Sequence, residues 1–113
     1  MDTEEKQLLQ TTAWLFMLHG RADRARNLVE YILSEEPTAG LAASILAAIL
    51  LDAHAPDDAL TALRNANFPP SLARAEALLE TRALRDLGRT SEATSRWNRF
   101  LQAQKGAQRQ WIS

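Results

Sequence analysis

The chain has 113 residues, a net charge of −1 and no cysteine, and alanine and leucine together supply 38 positions. This length allows one domain with a modest core. The lack of cysteine excludes disulfides and thiolate metal sites and is typical of a reducing cytosol. The acidic start, MDTEEKQ, is unlike a secretory signal, and the longest apolar run, LAASILAAILL, reaches about half the length that spans a bilayer. We therefore expect a soluble cytoplasmic protein.

Six helices are predicted from the apolar periodicity and from the residues that interrupt it. They cover approximately residues 8–18, 22–33, 40–53, 57–66, 71–87 and 90–104. Gly20 and Gly88 are suited to helix ends, Pro37 prevents continuation of the second helix, and Ser71 is expected to cap the fifth. No strand signal competes with these helices. The predicted fold class is all-α.

A short polar pattern returns at a period of 34 residues, as GRADRA at 20–25, HAPDDA at 54–59 and GRTSEA at 88–93. This pattern resembles the tetratricopeptide repeat, in which each unit is a helix, a turn and a second helix. The positions that such a repeat keeps small fall on Ala13, Ala47 and Thr81 in the first helices and on Ala25, Ala59 and Ala93 in the second helices. Glu80 and Thr81 depart from the family pattern, and its usual leading tryptophan is absent.

The resemblance implies a single domain over residues 1–113, built as three helix hairpins in a short right-handed superhelical solenoid. The repeats cover about 6–39, 40–73 and 74–107, with a tail at 105–113. Trp111 and Ile112 in this tail fit no repeat position. The sequence leaves open whether the tail caps the last repeat or forms a second contact surface.

The concave side of such a solenoid is lined by the first helix of each repeat. Counted through this sequence, the positions facing it are Gln7, Gln10, Trp14, Met17, Leu41, Ser44, Ala48, Leu51, Ala75, Leu78, Arg82 and Arg85. All of these except Gln7, Gln10 and Ala75 are predicted to bind a partner. The groove is expected to be apolar over two-thirds of its length and to end in Arg82 and Arg85, which would pair with acidic groups. In the alternative, the chain's own termini cover Trp14 and Met17.

Other function classes are less well supported by the residues. No nucleophile–base set, phosphate-binding loop or metal-ligand spacing is present, and His19 and His54 fall in turns, so neither an enzyme nor a bound cofactor or metal is predicted. Trp97 and Phe100 lie among arginines but occupy repeat packing positions. This placement and the net charge argue against nucleic-acid binding. The groove positions also lack the lysines of a carboxylate clamp.

Two segments resemble a particular group of small tetratricopeptide proteins, the export chaperones of bacterial type III secretion systems. AWLFMLHGRADRA is most similar to the YscY-type chaperone in the spacing of Trp14, Leu15, Gly20 and Ala25. LRDLGRTSEATSRWNRFLQ is similar to the final helix pair of that family. The middle stretch, LRNANFPPSLARAEALLETRAL, fits the related needle-subunit chaperone (YscG-type) equally well.

The resemblance implies a bacterial cytoplasmic chaperone that forms a heterodimer with a small secreted partner (YscX-type). It would present that partner to the export gate at the inner membrane, without inserting in the membrane or binding nucleic acid. The main alternatives are a needle-subunit chaperone and a general interaction scaffold. In the scaffold reading the chain associates with itself when no partner is present, its groove filled by another copy's tail.

Overall fold

The computed structural model describes the backbone of residues 1–112 and the side chains of residues 1–107. The helices are α1 (Thr3–Leu18), α2 (Ala22–Glu35), α3 (Gly40–Asp52), α4 (Pro56–Arg64), α5 (Ala73–Asp86) and α6 (Thr90–Ile112). They pack as three hairpins: hairpin 1 (α1 and α2), hairpin 2 (α3 and α4) and hairpin 3 (α5 and α6). The described residues contain no strand beyond one isolated bridge. The predicted all-α fold of helix hairpins is confirmed.

The three polar segments at the 34-residue period form the same turn within each hairpin. Each contains one residue with positive φ, namely Gly20 (75°), His54 (61°) and Gly88 (77°). The next residue donates its N–H to a carbonyl in the preceding helix: Arg21 to Phe16 (2.8 Å), Ala55 to Leu50 (2.8 Å) and Arg89 to Leu84 (2.9 Å). This pair of features defines the Schellman motif, which satisfies carbonyls left free at a helix end. The repeated sequence pattern is therefore a repeated helix terminator.

Alanine lies buried wherever the two helices of a hairpin come closest. Ala13 and Ala25 in hairpin 1, and Ala47 and Ala59 in hairpin 2, have no exposed surface. Ala93 in hairpin 3 is 4% exposed. Larger side chains at these positions would force the helix axes apart, since interiors are packed to near crystal density. The small-residue positions of the sequence pattern thus set the distance within each hairpin.

Helix α3 is the centre of the molecule. It packs against α4 within its own hairpin, against α1 and α2 on one side and against α5 on the other. Its buried residues cover most of its circumference, and the remaining side carries Leu41, Ala48 and Asp52, so the LAASILAAILL run is apolar even where it is accessible. One buried cluster joins hairpin 1 to α3. A second joins α3 and α4 to hairpin 3. Leu46 packs against both clusters.

Gly40, the first residue of α3, allows the segment that follows α4 to pass close to the start of α3. A Cβ at this position would lie 2.5 Å from the carbonyl oxygen of Asn67. The neighbouring Asn67 N–H donates to the Thr38 carbonyl oxygen (2.9 Å). The segment after α4 therefore closes over the entrance to α3, and only glycine fits there.

Three features of the helix boundaries differ from the sequence prediction. Helix α1 begins at Thr3 and not near residue 8, since Asp2 caps it there. Ser71 does not cap α5: it lies in a short 3-10 turn (Pro70–Leu72), and the helix begins at Ala73 without a side-chain cap. The predicted end of the last helix near residue 104 is also wrong, because the backbone of α6 remains helical to Ile112. Gly106 alone does not stop a helix, since its cost is only about 1 kcal/mol. The side chains of Trp111 and Ile112 lie outside the described residues.

An ion pair inside hairpin 3 explains why Glu80 departs from the family pattern. Arg96 Nε of α6 donates to Glu80 Oε2 of α5 (3.0 Å), and Arg96 also lies 3.8 Å from Glu76. The side chains of Arg96 and Glu80 are only 12% and 15% exposed. The two helices of hairpin 1, and those of hairpin 2, are joined through apolar contacts. In hairpin 3 this ion pair forms part of the contact between the two helices.

Replacing His54 by glycine is expected to stabilise the protein. A non-glycine residue in the left-handed region costs about 1–2 kcal/mol. The gain from glycine is smaller than this, because glycine also loses more conformational freedom on folding. We expect His54→Gly to raise the free energy of unfolding by about 0.5–1 kcal/mol in urea denaturation. The mirror control, Gly88→Ala at the equivalent turn, should lower it by about 1 kcal/mol. Equal stability of wild type and His54→Gly would contradict this account of the turn.

Replacing Arg96 by methionine is expected to destabilise hairpin 3, because the Glu80 carboxylate would stay largely buried without a partner. Removing one member of a buried pair costs several kcal/mol, and partial exposure reduces this to about 2 kcal/mol. Chemical denaturation measures the change. Arg26→Met is the matched control, since Arg26 pairs with Glu30 on the exposed side of α2 and such pairs contribute about 0.5 kcal/mol. Equal losses in the two variants would argue against a special role for Arg96.

Candidate functional site

The first helices of the three hairpins lie side by side, since α1 contacts α3 and α3 contacts α5. Their shared outer side, here called the first-helix face, consists of Gln7, Trp14, Leu18, Leu41, Ala48 and Arg82. Trp14 is 47% exposed and Leu41 is 37% exposed. Leu18, one helical turn after Trp14, is 60% exposed and lies next to it on α1. The face thus presents large apolar side chains to solvent, mainly on α1.

Several predicted groove residues lie elsewhere. Ser44 is 7% exposed and donates its hydroxyl to the Gly40 carbonyl (2.9 Å), and Leu51 is 2% exposed within the second core cluster. Both are buried because α5 packs against this side of α3. Their prediction as exposed groove residues is corrected: neither offers accessible surface to a partner. Met17 is partly buried against the core cluster of hairpin 1.

Leu78 and Arg85 occupy the same repeat positions as Ser44 and Leu51, 34 residues later, but they are exposed. Among the described residues, no further helix covers them. They therefore belong to the C-terminal end of the array and not to the first-helix face. Counting repeat positions alone could not separate these two surfaces, because the distinction depends on which side of each helix the next hairpin covers.

The expected basic end of the groove carries both signs of charge. Arg82 Nη2 donates to Asp52 Oδ1 of α3 (3.1 Å), and its Nε lies 4.0 Å from Asp86 Oδ2. An open depression of about 660 Å³ lies here, bordered by these three residues together with His54 and Arg85. The charge of Arg82 is thus shared with carboxylates of the same chain, while its side chain remains 43% exposed, so its pairing with acidic groups of a partner stays a prediction.

Trp97 and Phe100 pack against each other, with ring centroids 5.1 Å apart and planes tilted by 34°. Both remain partly exposed. The predicted packing role is therefore only part of their environment, since Trp97 also borders the uncovered end of hairpin 3. Earlier in the chain, Arg89 in the turn before α6 and Glu92 in the first turn of α6 form a hydrogen bond that raises the pKa of Arg89 and lowers the pKa of Glu92. That pair stabilises the turn and lies apart from the first-helix face.

No protein-family model matches the chain, and no curated protein was found to resemble it. Among the described helices, none combines the length and the apolar character needed to cross a membrane. The accessible side chains of the first-helix face are therefore the strongest guide to function.

An adjacent side of α1 is a feature that the sequence reasoning missed. Leu8 is 66% exposed and Leu15 is 48% exposed. Both lie across the helix from the fully buried Ala13. A helical-wheel projection of α1 would have shown leucines on both sides of this helix, a pattern that a terminal helix with only one neighbouring hairpin cannot bury.

Reversing the charge of Arg82 is expected to destabilise the contact between α3 and α5. Glutamate at this position would lose the bond to Asp52 and repel both Asp52 and Asp86, at a cost of about 1 kcal/mol for a half-exposed pair. The loss should shrink at high salt, where exposed charges are screened. Denaturation at two salt concentrations measures it.

Two controls accompany the Arg82→Glu measurement. Arg85→Glu, in the same depression, should change stability less because Arg85 has no ion pair among residues 1–107. Adding Asp52→Arg to Arg82→Glu should restore much of the loss. A salt-independent loss without such rescue would indicate a packing effect.

Proposed function

We propose that this chain is an export chaperone of a bacterial type III secretion system, of the YscY type, that binds a small secreted partner. The observation that carries the proposal is the exposure of Trp14, with Leu18 beside it, on the first-helix face. A large apolar side chain contributes about 1.5–3 kcal/mol when it leaves water. Two such side chains, one 47% and the other 60% exposed, favour a surface that a partner covers in a chain of this size.

The shape of the face favours a helix or an extended segment as the bound part of the partner. The three first helices lie side by side and run in the same direction, and Leu41 and Ala48 of α3 continue the apolar surface from α1. Amphipathic helices commonly bind apolar surfaces of this kind through an apolar stripe. An aggregation-prone segment of the partner would exchange its own exposure for contact with this surface.

The residues that carry the family resemblance differ in what they support. Gly20 forms the left-handed turn and Ala25 lies at the helix crossing, so any hairpin of this kind would require them. Trp14 has no such role in the fold, since nearly half of its surface is open. Its presence at the family's spacing therefore supports partner binding more specifically than the glycine or the alanine does.

Two consequences follow from the proposal. Chaperone and partner stabilise each other, because a ligand that binds only the folded state raises its stability by mass action. The complex also keeps the partner in the bacterial cytoplasm until it reaches the export gate at the inner membrane. The solvent-facing sides of α2 and α4 remain free in this arrangement for contact with the gate.

Trp14→Ala is expected to weaken partner binding by about 2 kcal/mol, or roughly thirtyfold in Kd, as central aromatic anchors do. Isothermal titration with a YscX-type secreted protein measures the change. Tyr31→Ala is the matched control, because Tyr31 is also 47% exposed but lies on α2. Wild-type affinity in Trp14→Ala would count against the first-helix face as the binding surface.

The same titration distinguishes the related chaperone classes. Binding of the YscX-type protein, with loss in Trp14→Ala, supports the YscY-type assignment. Binding of the needle subunit in its place would assign the chain to the YscG-type. If neither protein binds, the chaperone proposal is wrong and an interaction scaffold becomes the better explanation.

A further inference from the structure

The two ends of the repeat array each leave half of an inter-hairpin contact uncovered. Inside the chain, α3 covers hairpin 1 and α5 covers hairpin 2, in each case by packing on both helices. No described helix lies before α1 or beyond hairpin 3. The N-terminal end therefore exposes the outer side of a first helix, and the C-terminal end exposes the surface that a next first helix would cover.

At the N-terminal end, the exposed leucines of α1 occupy the positions that α3 uses for packing. Leu8 and Leu15 correspond to Ala42 and Ile49, 34 residues later. Ala42 and Ile49 are 0% and 5% exposed against hairpin 1, whereas the two leucines are 66% and 48% exposed. The outer side of α1 thus carries the residue types of an inter-hairpin contact without its partner.

At the C-terminal end, the comparison gives the complementary result. Leu78 is 47% exposed, while Gln10 and Ser44 at the same repeat position are both 7% exposed. The buried members of this set are polar and the exposed member is leucine, which is the reverse of what solvent alone favours. An apolar residue at this position is what a further covering helix would require.

The surroundings of Trp97 complete the C-terminal end. Depressions of about 410 and 220 Å³ lie on either side of it, the larger bordered by Arg74 and Leu101 and the smaller by Thr81 and Arg85. The Thr81 hydroxyl is buried without a hydrogen-bond partner among the described residues. The corresponding Val29 and Leu63 in hairpins 1 and 2 are almost completely buried. Trp97 is therefore part of an accessible surface that a further helix could cover.

The charges of the two ends are complementary. The first turn of α1 carries exposed Glu4 and Glu5. At the C-terminal end, Arg74 begins α5, and the side chains of residues 1–107 include no ion-pair partner for it. Successive first helices run in the same direction, because each pair is separated by one antiparallel helix. A first helix placed beyond α5 would therefore bring its acidic turn close to Arg74.

We propose that the N-terminal end of one copy docks on the C-terminal end of a second copy, with α1 in the position of a seventh helix. The contact repeats the one between successive hairpins and joins different surfaces of the two copies. Such a contact does not close at two copies, so dimers and longer rows form as concentration rises. The proposal does not depend on the secreted partner or on the first-helix face.

Sedimentation velocity tests the arrangement with one variant at each end. We expect the weight-average sedimentation coefficient of the wild type to rise between about 10 and 500 μM, and more steeply at low salt. Leu15→Glu and Leu78→Glu should each remain monomeric over this range. Their equimolar mixture should again associate, but only to dimers, because one variant keeps an intact C-terminal end and the other an intact N-terminal end.

The controls separate this arrangement from other occupants. Tyr31→Glu, at equal exposure on α2, should associate as the wild type does, and Leu8→Glu replaces Leu15→Glu if circular dichroism shows a loss of helix. A monomeric wild type at every concentration overturns the proposal and leaves the two ends to a different protein. Normal association of Leu78→Glu alone also overturns it, since that result indicates a two-fold contact between α1 helices.

Discussion

The close approach of the two helices in each hairpin is the constraint on which the rest of the structure depends. Ala13 and Ala25, and then Ala47 and Ala59, are buried at these crossings without any accessible surface. Dispersion contacts fall off steeply with separation, so a wider crossing would loosen the packing of every neighbouring side chain. Because the same crossing recurs in each hairpin, each hairpin can present the same surface to the next. The array and its two unmatched ends both follow from that repetition.

Much of the fold could be predicted from the sequence because the signals were local. A residue at each turn adopts positive φ, and the alanines follow it at a fixed distance, so the 34-residue pattern located the helices and their pairing. Ser71 misled the prediction because a hydroxyl before a helical pattern resembles a cap even where a 3-10 turn precedes the helix. The sequence prediction ended α6 near residue 104 and treated 105–113 as a tail, because Trp111 and Ile112 fit no repeat position, whereas the backbone stays helical to Ile112.

The candidate site was harder to predict because exposure is a property of the assembled hairpins. Ser44 and Leu78 share one repeat position, yet α5 buries the first and none of the described residues covers the second. Arg82 belongs to the predicted basic set, but its nearest carboxylate comes from a helix 30 residues earlier in the chain. Trp14 is nearly half exposed on α1, as a groove position requires. The sequence left open whether the chain's own termini cover this tryptophan, and its binding to a partner stays a prediction.

Two of the exposed regions of the molecule share α1. The first-helix face takes one side of this helix through Trp14 and Leu18, and the N-terminal end takes an adjacent side through Leu8 and Leu15. Under the two proposals, a segment bound along the first-helix face would leave the N-terminal end accessible, whereas a wide partner would cover both and prevent copies of the chain from stacking. The two proposed contacts would then be connected through one helix without any change of conformation.

The position of α3 between both other hairpins has a consequence for synthesis on the ribosome. Its last residue is Asp52, but α5, which covers one of its sides, ends only at Asp86. Translation proceeds from the N-terminus, so an emerging chain carries the most apolar helix of the protein for a considerable stretch before its cover is available. During that interval the nascent polypeptide is open to capture by cellular folding factors or to aggregation. The yield of intact molecules in the cell therefore depends on the rate of elongation through hairpin 3 as well as on the stability of the finished fold.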